Sequence, residues 1–268
     1  DDARLMKTAY NEQKSNKGYQ KLLGRVPVYG IWDDHDYGLN DGGKEWHFKE
    51  TSQQLFLDFM EVSQNSPRRR REGVYHAESL KTEKGSVKII MLDTRYFRDE
   101  LVESEAADKR YEPAEGTILG EEQWEWLEKE LMDSKAGFNV ILSSVQILSA
   151  EHGFETWGNF PSEVEKLENL IVFSEAKNVI LLSGDRHISE FSATKVEGLN
   201  YPLVDFTSSG LTHTYEEFNG EPNKYRVGEV VKDKSFGVLK FYFNEDKVLL
   251  EMRGDKNKLQ QDYLVEYQ

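Results

Sequence analysis

Across 268 residues the chain sets 49 acidic side chains against 34 basic ones, a formal charge of −15 at pH 7, and this excludes the basic footprint that wrapping bulk nucleic acid requires. The absence of cysteine excludes disulfides, thiolate metal sites and a cysteine nucleophile. No apolar run approaches the ~20 residues of a membrane helix and no signal peptide is read, while 38% hydrophobic and 12% aromatic residues suffice for one substantial core.

Residues 3 to 24 have helical periodicity, with Leu5, Tyr10, Tyr19, Leu22 and Leu23 among polar residues and Gly24 as the stop. Val26 to Trp32 reads as a first strand, and Gly38 to Gly43 as a loop. A helix over about Glu45 to Val62 carries Leu55, Phe56, Phe59 and Met60. Ser66 to Arg71 is a loop whose four arginines read as a solvated or internally paired surface. Val74 to Ser79 and Ser86 to Thr94 are neighbouring strands, the second apolar enough to be central. Residues 99 to 118 are an acidic, irregular, exposed loop.

Gly120 to Ser134 is a helix, Phe138 to Ser144 a buried strand, Ser162 to Ser174 a helix after Pro161, and Val179 onward a buried strand. Pro202 to Thr207 reads as a short strand, Gly237 to Phe243 and Val248 to Arg253 as a hairpin, and Asp262 to Tyr267 as an edge strand. One mixed α/β domain over 1–268 is predicted, with two packed sheets and helices outside.

Two of these strands end in the same chemistry. Trp32-Asp33-Asp34-His35-Asp36 closes the first, and Ser183-Gly184-Asp185-Arg186-His187 closes the Val179 strand. In open α/β sheets ligands bind beyond the carboxyl ends of the strands. Acid and imidazole delivered there twice suggest a hard-cation site that also moves protons. Consecutive carboxylates raise one another's pKa unless a cation neutralises them. If the backbone stays extended, Asp185 and His187 point to one side and reach one metal, leaving the second imidazole nitrogen for a partner such as Glu190. Arg95, after Leu92-Asp93-Thr94, and Arg186 are each candidate phosphate contacts, since the planar guanidinium suits that anion, or members of structural ion pairs. Trp157 either walls a pocket or anchors its loop in the core. His47, His76, His152 and His213 have no partner motif, and His152 and His213 follow strands that end near the proposed site.

Together with Gly120 through Leu127 and Trp157-Gly158-Asn159-Phe160, these motifs resemble, in order and spacing along roughly residues 3 to 215, the PhoD-type alkaline phosphatases of the metallophosphoesterase superfamily. The resemblance implies a four-layer α/β/β/α sandwich with mixed sheets and a dinuclear metal centre hydrolysing phosphodiesters or phosphomonoesters. It places Asp34, Asp185 and His187 as metal ligands, Asp33 as a ligand or its neighbour, His35 beside the leaving group, and Asn40 as a weaker candidate. Two ions, from Fe, Ca, Mn, Zn or Mg, are expected about 3.5–4 Å apart around a bridging hydroxide. The resemblance further implies a phosphate-ester substrate as partner and a secreted or cell-envelope location. The family's earlier motifs, a first Asp and a Gly-Asp-x-x-Tyr stretch, have no counterpart here, so the domain reads as N-terminally incomplete. The rival expectation is a non-catalytic metal-binding or interaction module that keeps the fold with a partial centre.

Overall fold

The computed structural model describes residues 3–267. The elements run α1 (Ala3–Ser15), α2 (Lys17–Leu23), α3 (Asp34–Tyr37), α4 (Lys49–Phe59), β1 (His76–Thr82), β2 (Gly85–Met91), β3 (Val102–Glu103), β4 (Tyr111–Glu112), α5 (Gly120–Met132) and β5 (Phe138–Leu142). Then follow α6 (Pro161–Ser174), β6 (Val179–Ser183), β7 (Ser189–Thr194), β8 (Leu203–Ser208), β9 (Arg226–Val231), β10 (Phe236–Tyr242), β11 (Lys247–Arg253) and β12 (Leu259–Glu266).

Seven strands form one mixed sheet in the order β1-β2-β5-β6-β8-β7-β9. Its centre, β2, β5, β6 and β8, is parallel, so four strands end at one edge of the sheet. Strand alternation divides their side chains between two cores. On one face Ile90, Ile141, Val179 and Leu181 meet Trp124, Leu127 and Leu131 of α5 and Leu167 and Ile171 of α6. On the other, Val87, Val140, Ile180 and Phe206 meet Val248, Leu250, Met252 and Val265 of the antiparallel sheet β10-β11-β12. Helix layer, large sheet and small sheet thus stack in that order, three layers of the expected four. A third core, around Trp32, Tyr37, Trp46, Phe56, Val74 and Tyr96, joins the N-terminal helices to this body.

Three sequence expectations change. The first helix is broken at Asn16, whose side chain caps α2 by accepting from the amides of Gly18 and Tyr19 at 2.8 and 3.2 Å. The Val26–Trp32 stretch joins no ladder. Its Pro27 lacks the N–H a ladder needs, and Trp32 is fixed instead by its side chain. Strands β7 and β9 were not expected, because Ser-Glu-Phe-Ser-Ala-Thr and Arg-Val-Gly-Glu-Val-Val are too polar to stand out. The arginine loop is internally paired: Arg68 donates to the Val74 carbonyl at 3.1 Å, Arg69 to that of Val62 at 2.7 Å, and Arg71 lies 3.7 Å over the Tyr75 ring.

Two buried histidines link the fold to pH. Burial, aided by the nearby cations Arg68 and Arg186, lowers His76 to about 4 and His152 to about 3. Both are neutral in the fold, whereas an unfolded chain takes up their protons below about pH 6.5. Stability is therefore fully present above that pH and is lost as pH falls, by about 1.4 kcal/mol per unit for each histidine. Urea melts at pH 7 and pH 5 check this: His76→Gln should flatten the fall, and an unchanged slope would contradict it.

Candidate active site

The first motif is placed by its tryptophan. The Trp32 indole is fully buried and donates to Asp93 Oδ1 at 2.8 Å, just past the end of β2. Asp93 also accepts from the amides of Val74, Arg95 and Tyr96 at 2.8, 3.0 and 3.0 Å, so one buried carboxylate ties the motif to the sheet edge. From there the chain makes the single helical turn α3, with Asp33 as N-cap and Gly38 as C-cap. Gly38 has φ 108°, a backbone conformation open to glycine and rarely adopted by other residues. The turn brings Asp34 inward. Its Oδ1 accepts from the His35 amide at 2.7 Å and its Oδ2 from the Asp41 amide at 3.2 Å, which fixes the carboxylate while His35 stays exposed.

The second motif arrives on β6. Gly184 N–H donates to the Ser144 carbonyl at 3.0 Å, joining the loops after β5 and β6. Asp185 and His187 both lie in the left-handed region, with φ 68° and 55°. The backbone is therefore not extended there, and the same-side geometry expected from i, i+2 spacing gives way to a tight turn. That turn is held by Arg186 N–H on the Gly184 carbonyl at 2.8 Å, and His187 N–H on Ser209 Oγ at 3.1 Å anchors it to the end of β8. Burial pushes the Asp185 carboxyl well above the usual carboxylate range, and Asp33 and Glu155 push it further. The His187 ring meets that of His213 edge-on, centroids 4.3 Å apart. Partial burial and His213 hold the His187 imidazole below its usual pKa. Glu190 does not support His187. It accepts from Gln146 at 2.8 Å and Arg226 at 2.7 Å.

Both motifs line one cleft of ≈ 490 Å³: Asp33, Asp34, His35, Asp185, Arg186 and His187 all face it, as does Asn40. Sequence reasoning did not single out Asp41, Glu155, Phe154 or Tyr215, which line it too. Asp41 is held at its carboxylate by the Tyr111 hydroxyl at 2.6 Å and Arg110 at 2.9 Å. The acidic loop supplies both of those donors, and nothing in its irregular sequence announced it.

Two expected substrate contacts lie elsewhere. Arg95 is fully buried beneath the cleft. It donates through Nε to Asp33 at 2.8 Å, through a second, very short bond to the same oxygen, and through a third nitrogen to Glu155 at 2.7 Å. Asp33 Oδ1 also accepts from Ser144 at 2.7 Å, so this carboxylate is committed to Arg95 and Ser144. Trp157 is a core residue, donating to Ser143 Oγ at 3.0 Å and packed edge-on against Trp124. Arg186 reaches the cleft, but its guanidinium donates to Glu221 at 2.6 Å.

Six carboxylates and two arginines line the cleft, so an anionic ester meets net repulsion there unless a cation enters first. Carboxylate oxygens with imidazole nitrogens are a donor set that divalent or trivalent ions accept. In kind, then, Asp34, Asp185, His187 and His213 suit a metal. In number they fall short: among the described residues no group of three or more His, Cys, Asp or Glu converges closely enough to hold one.

The family model of the PhoD-like phosphatases matches residues 4–235. The chain belongs to the PhoD-like phosphatase family. As a member it is 28% identical over 166 residues to alkaline phosphatase D of Bacillus subtilis (strain 168), covering 53% of this chain and 27% of that protein. A solved structure of PhoD superposes with a TM-score of 0.67 at 17% identity, covering 88% of this chain and 52% of that one. This PhoD-like chain thus shares the fold of that structure. It spans about a quarter of the curated relative it matches and about half of the solved chain.

Proposed function

We propose that this chain forms part of a metal-dependent phosphoesterase, and that its cleft at the ends of β2, β5, β6 and β8 is the reaction site. The observation that carries the reading is the convergence on one cleft of two acid–imidazole motifs about 150 residues apart, within a PhoD-like chain. Asp34, Asp185 and His187, with His213 beside them, would hold the metal, two ions in the complete centre, with further ligands from outside the described residues. A bound ion there would neutralise phosphoryl charge and make water nucleophilic at neutral pH.

The chain's own residues supply the rest. The Asp41 and His35 amides keep the Asp34 carboxylate aimed, as a positioned ligand requires. Asp33 is held by Arg95 and Ser144 and acts as a positioning residue at the start of α3. His35, exposed in the cleft, donates a proton to the leaving oxygen as its bond to phosphorus breaks and the new phosphorus–oxygen bond forms.

One observation favours the second reading, a non-catalytic module: the lack of a converged three-ligand group among the described residues. Turnover separates the two. The full-length protein assayed on 4-nitrophenyl phosphate and bis(4-nitrophenyl) phosphate should hydrolyse at least one, lose activity to a chelator and regain it with added metal. No turnover with any of the five metals would leave the module reading.

A further inference from the structure

The cleft has a second chemical character, which the hydrolytic machinery does not use. Phe154, Tyr215 and Leu211 line it together with Arg186 and Arg110. Leu211 is 71% exposed, an apolar side chain left in water at the mouth of an otherwise acidic site. The Arg186 guanidinium lies 4.0 Å from the Phe154 ring centroid and 5.8 Å from that of Tyr215, and Arg110 lies 5.5 Å from Phe154. Phe154 and Tyr215 meet edge-on, centroids 6.5 Å apart.

The group is built rather than incidental. The Phe154 amide donates to His152 Nδ1 at 3.2 Å, which fixes the loop, and the Tyr215 amide donates to the His187 carbonyl at 2.9 Å, which ties this wall to the second motif. Arg186 is only 8% exposed, and a terminal nitrogen is paired with Glu221 at 2.6 Å. It is therefore a poor free grip for phosphate. What such a guanidinium offers instead is a flat, weakly hydrated face that stacks on π-systems.

We propose that Phe154, Tyr215 and Leu211, with Arg186 stacked behind the Phe154 ring, form a leaving-group subsite for a planar aromatic group esterified to the phosphate, in preference to a polyol. The proposal rests on the phosphoesterase reading of the same cleft. A polyol would set hydroxyls against apolar carbon here and forfeit its water. An aromatic ring would instead cover Leu211 and extend the existing stack.

The test uses two non-hydrolysable probes on metal-loaded full-length protein: benzylphosphonate, which has the shape of phenyl phosphate, and 3,4-dihydroxybutylphosphonate, which has that of glycerol phosphate. Calorimetry should show benzylphosphonate binding about tenfold tighter, the worth of one good aromatic contact. Phe154→Ser should bring the two affinities together. Leu211→Ser, at an exposed position that does not threaten folding, should narrow the gap. Equal affinities in the unaltered protein, or a gap that survives both substitutions, would overturn the subsite. Phenyl and glycerol phosphates assayed alongside separate the two claims: no turnover of either, with the binding preference intact, would overturn the reaction and leave the subsite standing.

Discussion

Arg95→Ala is expected to destabilise the protein by about 3–5 kcal/mol, the largest effect of any single substitution considered, although Arg95 does not itself line the cleft. The reason is charge left behind. Glu155 is fully buried, and burial already pushes its carboxyl above the usual range, with Arg95 and then Arg98 as the opposing cations. Without the Arg95 guanidinium, the Glu155 oxygen it binds, which water hardly reaches, and the Asp33 oxygen it binds twice lose their main counter-charge. Arg95→Lys keeps the charge but not the fork that spans both acids, and should fall between. Arg95→Leu combined with Glu155→Leu should recover part of the loss, because it removes the buried Arg95–Glu155 pair together, but it leaves Asp33 with Ser144 alone and takes from buried Arg98 the carboxylate that lies 3.2 Å from its Nε. Urea unfolding measures all three. A cost below about 1 kcal/mol for Arg95→Ala, the range of exposed pairs, would mean that the network is not the support described.

The second large effect is on the reaction. Asp34→Ala and His187→Ala should each lower kcat/KM by at least about 100-fold, some 2.7 kcal/mol of lost transition-state stabilisation, with metal affinity falling in step. Neither should greatly reduce stability. His187 is exposed, and Asp34, though buried, serves only the two amides of its own short turn and loop rather than the apolar cores. Asp33→Asn behaves differently. It weakens the hold of Arg95, so melting temperature and activity should both fall, whereas a metal ligand would lose activity with little change in melting. Steady-state kinetics beside thermal melts read the contrast. Full activity in both Asp34→Ala and His187→Ala would end the assignment.

The sheet was legible in the sequence because its central strands are continuous apolar runs bounded by turns: Val87 to Leu92, Phe138 to Leu142 and Val179 to Leu182 fall where the ladder forms. The second motif was legible for the same reason, since the Val179 run ends in it and parallel strands end together; the first was legible from its residues alone, because the run before it joins no sheet. What could not be read depends on long-range partners. The Val26–Trp32 stretch looks like a strand, yet it is held by the bond from Trp32 to Asp93, 61 residues away. Arg95 looks like a phosphate contact until Asp33 and Glu155 close around it, and Glu155, beside the noticed Trp157, carried no signal of its own. The turn at Asp185 needed two left-handed residues that are not glycine, which local propensity argues against. The aromatic wall joins Phe154 to Tyr215 across a separation that no periodicity marks.

The central claim is that this cleft is a metal site, and elemental mass spectrometry of the purified full-length protein tests it most directly. The account predicts two tightly held metal ions per chain, with occupancy falling sharply in Asp34→Ala and in His187→Ala while both variants stay folded. Zero metal in the unaltered protein, or the same metal content in all three, would contradict it.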